Sequence, residues 1–304
     1  MSFLTKEEIT AYFRDLQDRI CRALEEADGT GTFAEDHWQR PGGGGGRSRV
    51  LEEGAVFEKG GVGFSAVWGE LHETMQRQMN LPHPAEFYAT GVSIVMHPRS
   101  PRLPIIHMNV RYFELSTGER WFGGGIDLTP IYVVEEDARW FHHQLKTVCD
   151  RHDPAYYPRF KAWADDYFFS PHRAETRGIG GIFFDNMKPG ENLALERSFD
   201  FVKDVAEAFS PTYTSLIARN KGLYFGEKEK HWQSLRRGRY VEFNLVHDRG
   251  TKFGLETNGR TESILMSLPP LASWKYNYQP EPESEESRTL GWLRKGVDWT
   301  TPNR

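Results

Sequence analysis

The run IIHMNVRYFE, Ile105 to Glu114, sets a histidine, an asparagine and an arginine two residues apart at His107, Asn109 and Arg111. An imidazole exchanges protons near neutral pH, and a guanidinium grips carboxylates with paired hydrogen bonds. Side chains of an extended strand alternate between faces, so these three share one side while Ile106, Met108, Val110 and Tyr112 line the other. One face suits packing and the opposite one chemistry.

A second strand-like run, WFGGGIDLTP from Trp121 to Pro130, follows across Ser116-Thr117-Gly118. A three-residue hairpin loop with Gly118 left-handed pairs Leu115 with Glu119, and then sets Arg111 against Gly123, Asn109 against Gly125 and His107 against Asp127. That register gives a glycine floor open to a large flat ligand, with a His–Asp pair at one end. A two-residue turn would instead send Asp127 to the packing face. The same alternation also describes an ordinary half-buried hairpin with a solvated polar face.

The elements that must position this hairpin are read from periodicity. Thr5 and Glu8 form a capping-box signature ahead of Ile9, Phe13, Leu16, Ile20 and Leu24, predicting a helix that ends near Asp28-Gly29. Glu135 to Cys149, Pro158 to Phe168 and Ala194 to Ala218 also read as helices. Strand-like runs cover Tyr88 to Met96, Ile105 to Leu115, Trp121 to Leu128, Gly180 to Phe184, Arg239 to Val246 and Lys252 to Glu256. The last two suggest a second hairpin with Tyr240, Glu242 and Asn244 on one face and Asp248-Arg249-Gly250 in its turn. The five glycines Gly42 to Gly46, flanked by Arg47 and Arg49, read either as a flexible linker or as a mobile lid closing on carboxylates. The whole is an α+β fold around an antiparallel sheet, without internal repeats or a clean domain boundary.

The 304 residues suffice for one large domain or two small ones. An aromatic content of 13% with a mean hydropathy of −0.63 describes a soluble, aromatic-rich chain, and a net charge of −5 gives no reason to expect nucleic acid or an anionic membrane as partner. An anionic substrate would need a local cluster of arginines, for which Arg111, Arg249 and Arg260 are the candidates. Cys21 and Cys149 are too few and too far apart for a disulfide framework or an iron-sulfur cluster. No segment is long and apolar enough for a membrane span, and MSFLTKEEI has neither signal-peptide nor transit-peptide character, so a cytosolic location is expected.

Dinucleotide and phosphate-loop spacings are absent, as is a nucleophile turn. His97, His107, His142 and His172 could converge on a divalent ion, although their wide separation equally suits hydrogen-bonded structural groups. What remains is proton-coupled chemistry on a polyanionic substrate that brings its own reactivity.

At this point six stretches carry a family resemblance: GGGGGRSRVLEEGAVFEKGGVGFS (Gly42 to Ser65), HMNVRYFE (His107 to Glu114), WFGGGIDLTP, RGIGGIFFD (Arg177 to Asp185), GRYVEFNLVHDRGTKFGL (Gly238 to Leu255) and GRTESILMSLPP (Gly259 to Pro270). The chain resembles the oxygen-dependent coproporphyrinogen III oxidases of haem biosynthesis, departing from their usual wording only in Gly60 and Gly63 of the first stretch. The resemblance implies a single domain over residues 1 to 304, a large antiparallel sheet flanked by helices on both faces, and a homodimer. It implies conversion of coproporphyrinogen III to protoporphyrinogen IX by oxidative decarboxylation of two propionates to vinyls, with molecular oxygen as co-substrate and no organic cofactor. Carried over by position, His107 is a proton donor and Asp127 a contact of the pyrrole nitrogens, with Arg111 and Asp248 beside them. Ser93, Asn109, Val110, Arg111, Arg249, Asn258, Gly259 and Arg260 become substrate contacts. His97, His107, His142 and His172 become ligands of a divalent metal. Under this reading Asp127 takes a pyrrole N–H proton, and the activated ring meets oxygen directly. A metal-dependent enzyme on the same fold, and a porphyrin carrier without catalysis, are the competing expectations.

Overall fold

A computed structural model describes residues 4–79, 83–188, 194–256 and 259–301. Its centre is a seven-stranded antiparallel sheet in the order β1-β2-β3-β4-β5-β6-β9. The strands are β1 (Ala34–Gln39), β2 (Gly44–Glu52), β3 (Phe57–Glu70), β4 (Glu86–Pro98), β5 (Ile105–Leu115), β6 (Arg120–Thr129) and β9 (Gly180–Met187), with β7 (Phe169–Ser170) and β8 (Glu175–Thr176) forming a separate small ladder. The helices are α1 (Lys6–Asp28), α2 (Glu73–Gln78), α3 (Glu135–Asp150), α4 (Tyr156–Tyr167), α5 (Leu195–Asn220), α6 (Glu227–Val246), α7 (Arg249–Glu256), α8 (Thr261–Leu265) and α9 (Glu285–Trp292).

One face of the sheet carries Val92, Ile94, Ile106, Met108, Val110, Ile126 and Phe184, all fully buried beneath α1, α3 and α5. Burial of this alternating apolar set is what fixes the register, because a slip of one residue would expose all of it. The predicted capping box is present, with Thr5 Oγ1 accepting from Glu8 N at 3.2 Å and Glu8 accepting from Thr5 N at 2.9 Å. At the other end of α1 the Asp28 carboxylate accepts from Gly31, Ala55, Val56 and Phe57 backbone N–H groups, tying the helix to the β2–β3 turn. The opposite sheet face is crossed by α6, whose Trp232, Leu235 and Tyr240 pack with Val95 and Ile105. Helix α4 runs along the edge strand β9, sending Phe160 to the first core and Ala164 to the second face.

Two expected strands are helices. Arg239 to Val246 is the end of α6, and Lys252 to Glu256 lies in α7. The period-two alternation covers only eight residues of a twenty-residue element in which Trp232, Leu235, Tyr240 and Phe243 recur at helical spacing. The second hairpin therefore does not exist. Strands β1 to β3 lay outside the expected set. The glycine run is neither linker nor lid, since Gly44, Gly45 and Gly46 are paired strand residues of β2. Arg47 and Arg49 point to the α1 side, where they pair with Asp18.

Candidate active site

The β5–β6 hairpin has the register that its loop chemistry requires. Leu115 N donates to Glu119 O at 2.9 Å, Gly118 adopts φ +96°, and His107 pairs with Asp127, Asn109 with Gly125 and Arg111 with Gly123. Following the ladders outward puts Gly91, Ser93 and Val95 of β4, and Gly61, Gly63 and Ser65 of β3, on the same face. Side-chain-free positions thus stretch across several strands, about 4.8 Å apart, with Met266 packed over Gly61 and Gly63 at one end. A Cβ at Gly123 would lie 2.4 Å from Asp185 Oδ1 and 2.9 Å from Arg111 Nη2, so a side chain there would displace these two groups, which meet at 3.0 Å. Asn109 Oδ1 accepts from Arg111 Nη1 at 3.0 Å and completes the orientation of that guanidinium.

At the end of this strip, His107 Nδ1 and Asp127 Oδ1 are 2.7 Å apart, and Arg177 Nη2 donates to Asp127 Oδ2 at 2.6 Å. Asp127 is 2% exposed and Arg177 5%, whereas the His107 side chain is partly open at 23%. Arg177 is enclosed by the rings of Phe168, Tyr240 and Phe243 and also donates to Asn244 Oδ1 at 3.0 Å. Burial alone would raise the Asp127 carboxyl, but the Arg177 charge and the His107 hydrogen bond outweigh it and hold the group below the usual carboxylate value. Asp127 is therefore a buried anion with both oxygens occupied. It stands behind His107 and meets the imidazole at Nδ1.

Arg177 was quoted in a sequence stretch but not recognised as a site residue. It sits in the connection before β9, and its only sequence signal was a charged residue immediately ahead of Gly178-Ile179-Gly180-Gly181. The remaining expected residues divide. Ser93, Gly259 and Arg260 line a cavity of about 720 Å³ on the same sheet face, over β1 to β4. Arg260 is held there by Asp36 and by Ser263. Val110 points into the core and is fully buried, so only its backbone can meet a ligand. Asp248 caps α7 by accepting from Thr251 N at 2.7 Å and accepts from the Tyr167 hydroxyl at 2.9 Å. Arg249 is exposed beside the Tyr167 ring, and Asn258 lies outside the described residues.

The four expected metal ligands are not brought together. His142 is buried in the α3 core with its Nδ1 on the Tyr157 hydroxyl and its Nε2 on the Ile179 carbonyl, on the far side of the sheet from His107. His97 is fully buried with Nε2 on the Ser267 carbonyl. His172 pairs with His247 and Glu242 near the small ladder. Among the described residues no group of three or more histidine, cysteine, aspartate and glutamate side chains is placed to hold a metal ion. The residues present do not fit the expected site.

Comparison with known proteins agrees with this geometry. The family description "Coproporphyrinogen III oxidase" matches residues 8–299. The chain belongs to that family. It is 52% identical over 298 residues to the oxygen-dependent coproporphyrinogen-III oxidase of Drosophila melanogaster, covering 94% of this chain and 76% of the relative. It is 48% identical over 300 residues to the chloroplastic oxygen-dependent coproporphyrinogen-III oxidase of Glycine max, covering 94% and 77%. No helix of the described residues is long and apolar enough to cross a membrane.

Proposed function

We infer that this site performs the oxygen-dependent oxidative decarboxylation of coproporphyrinogen III, turning two propionates into vinyls. For each arm, propionate and O₂ give vinyl, CO₂ and H₂O₂. The carbon nearest the ring loses hydrogen, the electron pair of the carbon–carboxyl bond becomes the new double bond, and oxygen accepts the two electrons. The observation that carries the reading is the buried Arg177–Asp127–His107 chain at one end of the glycine-faced strip that also carries Arg111, within a chain of this family.

The protein's part is placement and proton management. Arg111, with Arg249 and Arg260, supplies cations for propionates, and the glycine floor admits the macrocycle flat against backbone. His107 Nε2 exchanges the pyrrole or product proton, while Asp127 fixes the ring behind it. Porphyrinogen pyrroles are electron-rich, so the substrate supplies the reducing electrons and no organic cofactor enters this reading. We further propose a homodimer in a reducing compartment, for which the family resemblance and two buried free thiols speak.

The test is incubation of purified protein with coproporphyrinogen III under air and under argon, with products separated by chromatography. Protoporphyrinogen IX under air alone is expected. Unchanged substrate under air, or equal conversion under argon, overturns the reading.

A further inference from the structure

The segment Trp38 to Pro41, which leads into the glycine run at the start of β2, has no role in the reaction described so far, yet it lines one wall of the 720 Å³ cavity. A Cβ on Gly46 would come within 2.4 Å of the Trp38 ring, so the indole lies flat on the backbone there, its Nε1 donating to Ser48 Oγ at 3.2 Å. A Cβ on Gly42 would lie 2.9 Å from Arg40 Nη1, and one on Gly69 would lie 3.3 Å from the same atom. The Arg40 guanidinium thus occupies a slot between two glycines. One of its N–H groups donates to the Trp68 carbonyl at 2.9 Å, and its face rests on the Phe87 ring, 5.4 Å from the centroid. The slot is built to hold a guanidinium in place.

Among the described residues the Arg40 guanidinium has no carboxylate within ion-pair distance. Arg111 pairs with Asp185 and Arg260 with Asp36, whereas Arg40 forms no ion pair among the described residues although it lines the cavity. A fixed guanidinium with unused donors in a largely apolar cavity calls for an anionic ligand group. Three residues already assigned to the substrate, Ser93, Gly259 and Arg260, line the same space.

We propose that Arg40 binds a carboxylate of the tetrapyrrole, namely one of the two propionates that the reaction leaves intact. This rests on the function proposed above. The assignment to a retained arm follows from position. Arg40 lies at the end of the cavity lined by Phe87 and Phe113, and Phe113 is six residues along β5 from His107, about 20 Å at the rise of a strand. A carboxylate held there is remote from the proton-exchanging imidazole.

The experiment compares steady-state kinetics of Arg40→Met with wild type on coproporphyrinogen III and on the tricarboxylic intermediate that already carries one vinyl. Both substrates keep the anchored arm, so KM should rise by the same factor on each, about tenfold or more for loss of a charge-assisted pair, with kcat within about twofold. Arg40→Lys should fall between the two, since it keeps the charge and loses the fork. Arg22→Met, on the exposed surface of α1, removes the same charge elsewhere and should leave KM unchanged. If Arg40→Met does not match the wild-type melting temperature, Arg40→Gln takes its place, and the Arg40→Lys comparison stands in either case. An unchanged KM in an active, folded variant overturns the role of Arg40 and leaves the reaction standing. A rise on coproporphyrinogen III alone overturns the retained-arm assignment. Failure of wild type to turn over either substrate overturns the underlying function instead.

Discussion

His107 and Asp127 occupy directly opposed positions of the β5–β6 ladder, and their side chains meet at 2.7 Å on the glycine face. Because Arg177 holds the second carboxylate oxygen, the buried aspartate presents a fixed negative charge to the imidazole. Asp127→Asn keeps the shape but removes that charge and can reverse the hydrogen bond. Turnover should fall by about 10²- to 10⁴-fold, the range for a mispositioned acid–base group, with KM changed far less. Product formation at saturating substrate measures it, and near-normal kcat would exclude any part for this carboxylate in proton handling.

Arg177 is enclosed by three aromatic rings and paired with a fully buried anion. Arg177→Met retains much of the volume and leaves Asp127 buried without its cation. Breaking such a pair from one side destabilises by roughly 3–5 kcal/mol. Urea unfolding should show that loss as a lower midpoint at unchanged slope. The double variant Arg177→Met, Asp127→Leu should recover part of it, because no isolated charge then remains.

The hairpin was legible because three signals agreed: alternation from Ile105 to Leu115, a glycine able to close a three-residue loop, and a core that tolerates one register only. Strands β2 and β3 were not legible for the opposite reason. Gly60, Gly61 and Gly63 have low strand propensity; Gly61 and Gly63 occupy the sheet because Met266 packs over both, and Gly60, on the opposite face, because it makes room for Met96. Tyr240 and Phe243 misled because α6 lies between the sheet and further elements and is buried on several sides, which blurs a helical stripe over a short window. Arg177 acts through tertiary contacts with residues 50 and 67 positions away, and no local pattern encodes those.

Two buried histidines set the acid limit of the fold. Burial lowers both His97 and His142 to about 3 despite the hydrogen bonds each makes to a backbone carbonyl. The unfolded chain takes up a proton at each near 6.5, so the stability held by neutral histidine is complete above that pH and is lost as pH falls from about 6.5 towards 3. Each should contribute a slope of up to about 1.4 kcal/mol per pH unit in that window. Chemical denaturation between pH 7 and 5 measures it. For His142→Gln the slope should drop by about half, while kcat of the folded enzyme stays near wild type because this residue lies in the opposite core. A slope unchanged by that substitution would mean that His142 does not titrate on unfolding.

Arg111 and Asp185 form an ion pair whose side chains are each 36% exposed, and under the proposed function a substrate carboxylate meets the same guanidinium. The aspartate therefore competes with substrate for the guanidinium. Salt screens both attractions, but the longer-range pull of local arginines on a polyanion approaching a chain of net charge −5 is screened first. KM should rise severalfold between about 0.05 and 0.5 M neutral salt, with kcat little changed. Asp185→Asn removes the competitor, so KM at low salt should fall below wild type and its dependence on salt should steepen. A higher KM at low salt in that variant would show instead that Asp185 orients Arg111 for the substrate, and that the pair supports binding rather than opposing it.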